Sequence, residues 1–359
     1  MPITRPRIIL QDGICNACNW SFEKKKINWK VRENKLKEII KNCKKKSKSE
    51  YDCITTVSGG KDGSYVAHNL KNKYGLKQLC VTVRPPLETE IGIKNLKNFI
   101  SSGYEHIHIS PNEEQMRLMN LFGLIHAGFP YWGWLVAIHT AVFNLASKLK
   151  INLIFYSEDG EIEYGGDTTY EKKYLYGIDY IKSRYLENNF EKILNKVEKK
   201  IKLSKFHFTF DNSQFSKSIN FTHYSYFDNW DPYKNYLIAK KYCGLQENNK
   251  NSLGGFTNFS QIDQKLYPLH IYLKFLKFGF GRATDDASID IRRGALKRDQ
   301  GIQLVNLYDN FILSDADMNI FAEYYKIKKT KLILIFDKWV NKNLFIKVKG
   351  IWKPRFVNI

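Results

Sequence analysis

The chain has no uninterrupted apolar stretch approaching the roughly 20 residues that a membrane-crossing helix requires. Residues Leu121 to Leu149 come closest, and His126, Pro130, His139 and Asn144 break them up. The opening stretch Met1-Pro2-Ile3-Thr4-Arg5-Pro6 carries no signal-peptide core, so a soluble cytoplasmic protein with no membrane partner is expected. A disulfide framework is excluded by the cysteine pattern: six cysteines in 359 residues, of which only Cys15 and Cys18 are closely spaced. Cys53 and Cys80 fall in apolar runs and read as small core residues. The sequence has no internal repeat, no low-complexity linker and no Gly-x-x-x-x-Gly-Lys-Ser/Thr spacing, which rules out the common P-loop.

Arginine is also scarce, at 11 of 57 basic residues. The formal net charge of +21 would ordinarily suggest nucleic acid or a membrane surface. Here it comes from lysine, alongside abundant Asn, Ile, Tyr and Phe, the pattern an AT-rich genome produces whatever the partner. Runs such as Lys24–Lys26 and Lys44–Lys46 therefore read as solvated faces, and nucleic acid is not an expected partner. The same bias makes a cluster of arginines informative. Arg282, Arg292, Arg293 and Arg298 fall in one short segment, and clustered guanidinium groups suit bidentate recognition of carboxylate or phosphate.

What the sequence does contain is Cys53-Ile54-Thr55-Thr56-Val57-Ser58-Gly59-Gly60-Lys61-Asp62-Gly63-Ser64-Tyr65. A β-branched apolar run leads into two glycines, then into a helix-like stretch. Glycines at a strand-to-helix turn let several backbone N–H groups converge on one anion, and the helix dipole adds to the attraction. The arrangement resembles the pyrophosphate loop, Ser-Gly-Gly-x-Asp-Ser, of the ATP pyrophosphatases, which cleave ATP to AMP and pyrophosphate. Where that motif has serine directly after the aspartate, this chain has Gly63 followed by Ser64.

Strands are expected over Tyr51–Val57, Gln78–Val83, His106–Ile109 and Ile151–Tyr156. Helices are expected over Ser64–Tyr74, Ile91–Ser102 and from about Gly133 to Lys150. Alternation with short connections predicts an α/β fold with a doubly wound parallel sheet, its order reversing beside the first strand. Three regions are expected: an N-terminal Cys-containing segment and helix (1–50), an ATP pyrophosphatase unit (51–170) and a mostly helical substrate- or partner-binding region (171–359). Within the last, Leu266–Phe278 reads as an amphipathic helix, and Thr284 or Asp285 as the cap of the next. Leu332–Ile359 is not assigned.

Ser58 and the backbone of Gly59, Gly60, Lys61, Asp62 and Gly63 are expected to hold the β- and γ-phosphates, with Lys61 offsetting charge on the leaving group. Asp62 beside phosphate implies an intervening Mg²⁺. Ser64 is expected to cap the helix. Thr82 and Val83 end the second strand, where adenine would sit against the main chain. Asp159, Gly160 and Glu161, with Glu163 nearby, form an acidic loop suited to Mg²⁺ or to orienting a nucleophile; a solvated turn is the alternative. Gly281, Arg282, Thr284, Asp290 and Arg292 suit a substrate carboxylate or phosphate at a helix N-terminus; ion pairs along one helix face are the alternative. Cys15 and Cys18 are half of a zinc site, completed by Cys43, Cys243, a histidine or a second subunit, or else reduced structural thiols.

Four motifs occur in order: Asp12-Gly13-Ile14-Cys15-Asn16-Ala17-Cys18, the Val57–Tyr65 loop, Glu158-Asp159-Gly160-Glu161 and Gly279-Phe280-Gly281-Arg282-Ala283-Thr284. Together, over about residues 8 to 310, they resemble the N-acetyl sugar amidotransferases of bacterial surface-glycan synthesis, of the pseudaminic-acid and lipopolysaccharide type. The resemblance implies an adenine nucleotide alpha hydrolase-like fold, ATP and Mg²⁺ as cofactors, and a free or nucleotide-linked N-acetyl sugar as substrate. It implies adenylation of the acetamido oxygen, then displacement of AMP by ammonia to give an acetamidino group. No glutaminase signature is present, so a separate glutaminase subunit would supply the ammonia. A tRNA-thiolating enzyme with the same loop is the alternative, and a nucleotide-binding regulatory protein without turnover ranks below it.

Overall fold

The computed structural model describes residues 1–46, 49–157, 162–166, 173–186 and 190–356. A small antiparallel pair, β1 (Leu10–Gln11) and β2 (Ile14–Cys15), leads into α1 (Asn16–Lys26) and α2 (Trp29–Lys46). The α/β unit follows: β3 (Cys53–Thr56), α3 (Lys61–Asn72), β4 (Gln78–Val83), α4 (Glu90–Ser101), β5 (His106–Ile109), α5 (Glu113–Ala127), α6 (Trp132–Leu149) and β6 (Leu153–Tyr156).

These four strands, with β7 (Asn220–His223), form one parallel sheet in the order β5-β4-β3-β6-β7. The chain winds outward from β3 through β4 to β5, then crosses back to β6, so the order reverses beside β3 as expected. The fifth strand was not foreseen. It lies in the region read as mostly helical, and Asn220-Phe221-Thr222-His223 is too short, among too many aromatic residues, to give a clear alternating signal.

The longest apolar stretch resolves into two helices. Asn112 caps α5 by accepting from the N–H groups of Glu114 and Gln115, and Gly128 ends it in the left-handed conformation. α6 then buries Val136, Ala137, Ala141, Val142, Phe143 and Ala146 in the core shared with the sheet. Among the described residues no helix is long and apolar enough to cross a membrane.

Beyond β7 come α7 (Pro232–Cys243), α8 (Tyr267–Phe278), α9 (Arg282–Arg292), α10 (Arg298–Tyr308), α11 (Asp315–Tyr325) and α12 (Lys329–Trp339). An antiparallel hairpin, β8 (Phe345–Val348) and β9 (Ile351–Pro354), occupies the unassigned C-terminal stretch. Leu124 of α5 and Tyr131 share one buried cluster with Leu266, Leu269, Leu273, Phe321, Tyr325 and Leu332. That cluster fixes the C-terminal helices against the α/β unit and sets α8 and α9 opposite the carboxyl ends of the strands.

Candidate active site

The turn after β3 is shaped by one glycine. Gly59 has a φ of +77°, and a β-carbon there would lie 2.4 Å from the backbone nitrogen of Leu96 in α4. No side chain fits. Gly60 caps α3 with no side-chain hydrogen bond, so the first-turn N–H groups have no side-chain acceptor and remain available to an anion. Ser58, Gly60, Lys61, Asp62 and Gly63 line a cleft of about 720 Å³. Lys61 pairs with Asp62, whose other oxygen accepts from Asn235 at 2.8 Å.

Gly63 also has a steric reason. A β-carbon there would sit 3.0 Å from Val57 Cα and 3.4 Å from the Thr56 carbonyl, so the helix approaches its strand too closely for serine to fit freely. Ser64 does not take over as a cap. It is wholly buried and does not line the cleft, and its side chain lies beside the Cys243 thiol.

Thr82 and Val83 both line the cleft, but their polar atoms are engaged within the protein. The Thr82 hydroxyl donates to the Val57 carbonyl at 2.7 Å and lies 2.8 Å from His106 Nε2; the Val83 carbonyl accepts from the Trp134 indole at 2.9 Å. Trp134, Ile138, Val142 and Tyr156 add an apolar arm beside them.

The opposite wall comes from α8 and α9. Tyr267, His270, Ile271 and Lys274 share one face of α8; Arg282, Asp285, Asp286 and Asp290 of α9, with Arg293 just past its end, line the cleft opposite the loop. Arg282 makes a bidentate pair with Asp286, at 2.9 and 2.8 Å. Asp285 is held by Lys274 and by Arg5 at 3.1 Å, and Asp290 by Arg293 at 2.7 Å. The ion pairs expected as an alternative reading are therefore present, and they sit within the cleft. Burial pulls the Lys274 ammonium below its usual range despite Asp285, and holds His270 neutral, down at about 3. The Nδ1 of His270 and the Oε1 of Gln261, both on cleft-lining residues, have no hydrogen-bond partner among the described residues.

Two expected substrate contacts are corrected. Thr284 is buried and gives its hydroxyl to Asp309, and Arg292 donates to the Glu163 carbonyl. Neither lines the cleft. The cap of α9 is Gly281, not Thr284 or Asp285. Its N-terminus is no free anion site, because Asp309, 1% exposed, accepts from the N–H of Gly281 at 2.8 Å and of Thr284 at 3.3 Å. An internal carboxylate occupies the place proposed for a substrate anion.

Glu158, Asp159, Gly160 and Glu161 lie outside the described residues. Glu163 faces α1 and accepts from Trp20 at 3.1 Å and Lys24 at 2.6 Å. Cys15 sits at the start of α1, where burial is outweighed by the Cys18 N–H and the chain's amino group, which draw its thiol below the usual value. Cys43 bonds the Asp52 carbonyl, and Cys243 lies against the Ser64 carbonyl, each in a different buried cluster. Among the described residues no group of three or more His, Cys, Asp or Glu is placed to hold a metal ion. None of the six cysteines lines the cleft.

Several lining residues were not singled out from sequence: Arg5, Asp263, His270 and Lys274, with Asn235 behind Asp62. Arg5 meets Asp285 across 280 residues, which no local pattern reveals. His270 and Lys274, four apart in a mainly apolar helix, were a readable signal.

Residues 253–356 match the family model described as LPS biosynthesis protein WbpG-like, C-terminal domain. This segment contains both α8 and α9. Among solved structures, the NH3-dependent NAD synthetase from Campylobacter jejuni is 13% identical with a TM-score of 0.27, covering 49% of this chain and 87% of that one. The U34-tRNA thiolase NcsA from Methanococcus maripaludis, with its [4Fe-4S] cluster, is 12% identical with a TM-score of 0.30, covering 80% and 85%. Neither likeness bears on the chemistry of the site. No curated protein matches the chain in sequence.

Proposed function

We propose that the protein is an ATP-dependent amidotransferase that converts an N-acetyl group of a bacterial surface-glycan sugar into an acetamidino group. The observation that carries this reading is the shared cleft. The phosphate loop forms one wall, and the segment matching a lipopolysaccharide-biosynthesis domain forms the other.

The loop suits the triphosphate: Gly59 admits no side chain, and uncapped N–H groups open onto the cleft. Asp62, which lines the cleft and is oriented by Asn235 behind it, is the oxygen donor that would hold Mg²⁺. A divalent ion held by Asp62 would supply charge neutralisation at the departing pyrophosphate. Lys61 contributes to the same end. An amide oxygen is a poor leaving group; joined to the α-phosphorus of ATP it departs as AMP, and ammonia from a separate glutaminase subunit can replace it. The carboxylates of α9 would orient the sugar, with the rings of Tyr164 and of Tyr233 at the start of α7 lining the same cleft.

The thiolating alternative calls for reactive cysteines at the cleft, and none lines it. Burial pushes the Cys43 thiol up to about 11 and raises those of Cys53, Cys80 and Cys243.

Incubation with ATP, Mg²⁺, ammonium and a panel of N-acetyl sugars is expected to yield AMP, pyrophosphate and a sugar whose mass reports replacement of oxygen by NH. Release of ADP would sink the proposal. Tight, selective tRNA binding at physiological salt would favour the thiolating alternative instead.

A further inference from the structure

Five aspartates line the cleft, and four face a cation: Asp62 meets Lys61, Asp285 meets Arg5 and Lys274, Asp286 meets Arg282, and Asp290 meets Arg293. Asp263 has no ion-pair partner among the described residues; its side chain is met by the Tyr267 hydroxyl and by the nearby Glu88 carboxylate. Asp263 is half-buried, and a carboxyl partly withdrawn from water without a cation is costly, so its presence needs a reason.

Its position supplies one. The backbone of Asp263 is fixed to the start of α4: Thr89 N–H donates to the Asp263 carbonyl at 3.1 Å, and the Thr89 hydroxyl bonds the Ile262 carbonyl. A β-carbon on Gly92 would lie 2.6 Å from Asp263 Cα, so only glycine lets the strand-like segment approach α4 this closely. Four residues further along α4, Leu96 presses in the same way on Gly59 of the phosphate loop. About one helical turn, ~5.4 Å, therefore separates the Asp263 contact from the loop contact.

Resting on the amidotransferase reading, we propose that Asp263 is the catalytic base that takes the acetamido N–H proton as the carbonyl oxygen attacks ATP. In that step the oxygen bonds the α-phosphorus, and the bond from that phosphorus to the bridging oxygen of the β-phosphate breaks. Pyrophosphate leaves with the electron pair, and the nitrogen proton passes to the Asp263 carboxylate. The neutral O-adenylyl imidate then takes up ammonia. Its C–O bond breaks toward AMP, and the three ammonia hydrogens end on the amidinium product. The proton held by Asp263 returns to solvent. An amidinium is a planar, two-pronged cation, so the same carboxylate would pair with the product. Burial, reinforced by Glu88, pushes the Asp263 carboxyl up to about 6, which leaves it ionised at neutral pH yet a competent proton acceptor. The titratable groups around it are Glu88 on one side and Tyr267 on α8, while α4 presents Gly92.

The test is sugar-dependent exchange of labelled pyrophosphate into ATP by the intact protein. Asp263→Asn is expected to lower exchange about 10²- to 10⁴-fold and to abolish the fall in rate below about pH 6. ATP affinity, Mg²⁺ requirement and melting temperature should stay unchanged. Tyr267→Phe, which removes a hydrogen bond to the ionised form, should shift the acid limb to higher pH in a folded protein. Exchange within a few-fold of wild type in Asp263→Asn, or an unmoved limb in Tyr267→Phe, overturns the assignment. A raised Mg²⁺ requirement in Asp263→Asn overturns it in favour of a metal ligand. Wild-type protein that exchanges pyrophosphate without any N-acetyl sugar dependence overturns the amidotransferase reading itself, and this assignment with it.

Discussion

On the loop wall of the cleft, shape comes from what is missing: the first turn of α3 has no side-chain cap, and Gly59 lies against α4 where no β-carbon fits. The α8–α9 wall is crowded with charge, and its cations are engaged by Asp285, Asp286 and Asp290. The first wall is built from consecutive residues, the second from residues as far apart as Arg5 and Asp285. A polar surface can thus be left open to ligand in one place and satisfied internally in another within a few ångströms of the same cleft.

The largest expected effect falls on the loop wall. Gly59→Ala combines a left-handed backbone with a 2.4 Å clash against main chain, and should cost about 2–5 kcal/mol in denaturant unfolding along with nucleotide binding. A variant as stable as wild type would show that α4 can move away. Next comes Asp62→Asn, expected to lower AMP formation about 10²- to 10³-fold while unfolding stays at the wild-type midpoint. Retained turnover would remove the carboxylate from the mechanism and leave the loop wall with backbone donors alone. The smallest effect is expected on the α9 side, from Thr284→Val. It deletes one hydroxyl bond to the buried Asp309, costing about 1–2 kcal/mol with the KM for sugar unchanged. A raised KM with stability intact would return Thr284 to the substrate.

The two walls also differ in how far they could be read from sequence. Four strands and the loop stood out because each is local: β-branched runs, glycines at a strand end, short connections. β7 was hidden because Phe221 and its neighbours are surrounded by aromatic residues with no periodic contrast. The arginine cluster pointed to the right segment, yet only part of it reaches the cleft. Arg282 and Arg293 face inward and Arg292 turns toward Glu163, a distinction set by the rotation of α9 and not by composition. Thr284 and the α9 N-terminus misled for a related reason. Asp309, 25 residues on, takes the donors that a sequence reading assigns to ligand.

The ion pairing of the cleft has one more consequence. Arg5, Lys61, Lys274, Arg282 and Arg293 are balanced there by Asp62, Asp263, Asp285, Asp286 and Asp290, in a protein whose formal net charge is +21. The basic exterior can draw an anionic nucleotide inward over long range, but the interior offers it no surplus of positive charge. On the amidotransferase reading, grip on the triphosphate would come from aimed backbone donors and not from surplus charge. On that reading pyrophosphate would leave a site selective for its shape and never an electrostatic sink for its charge.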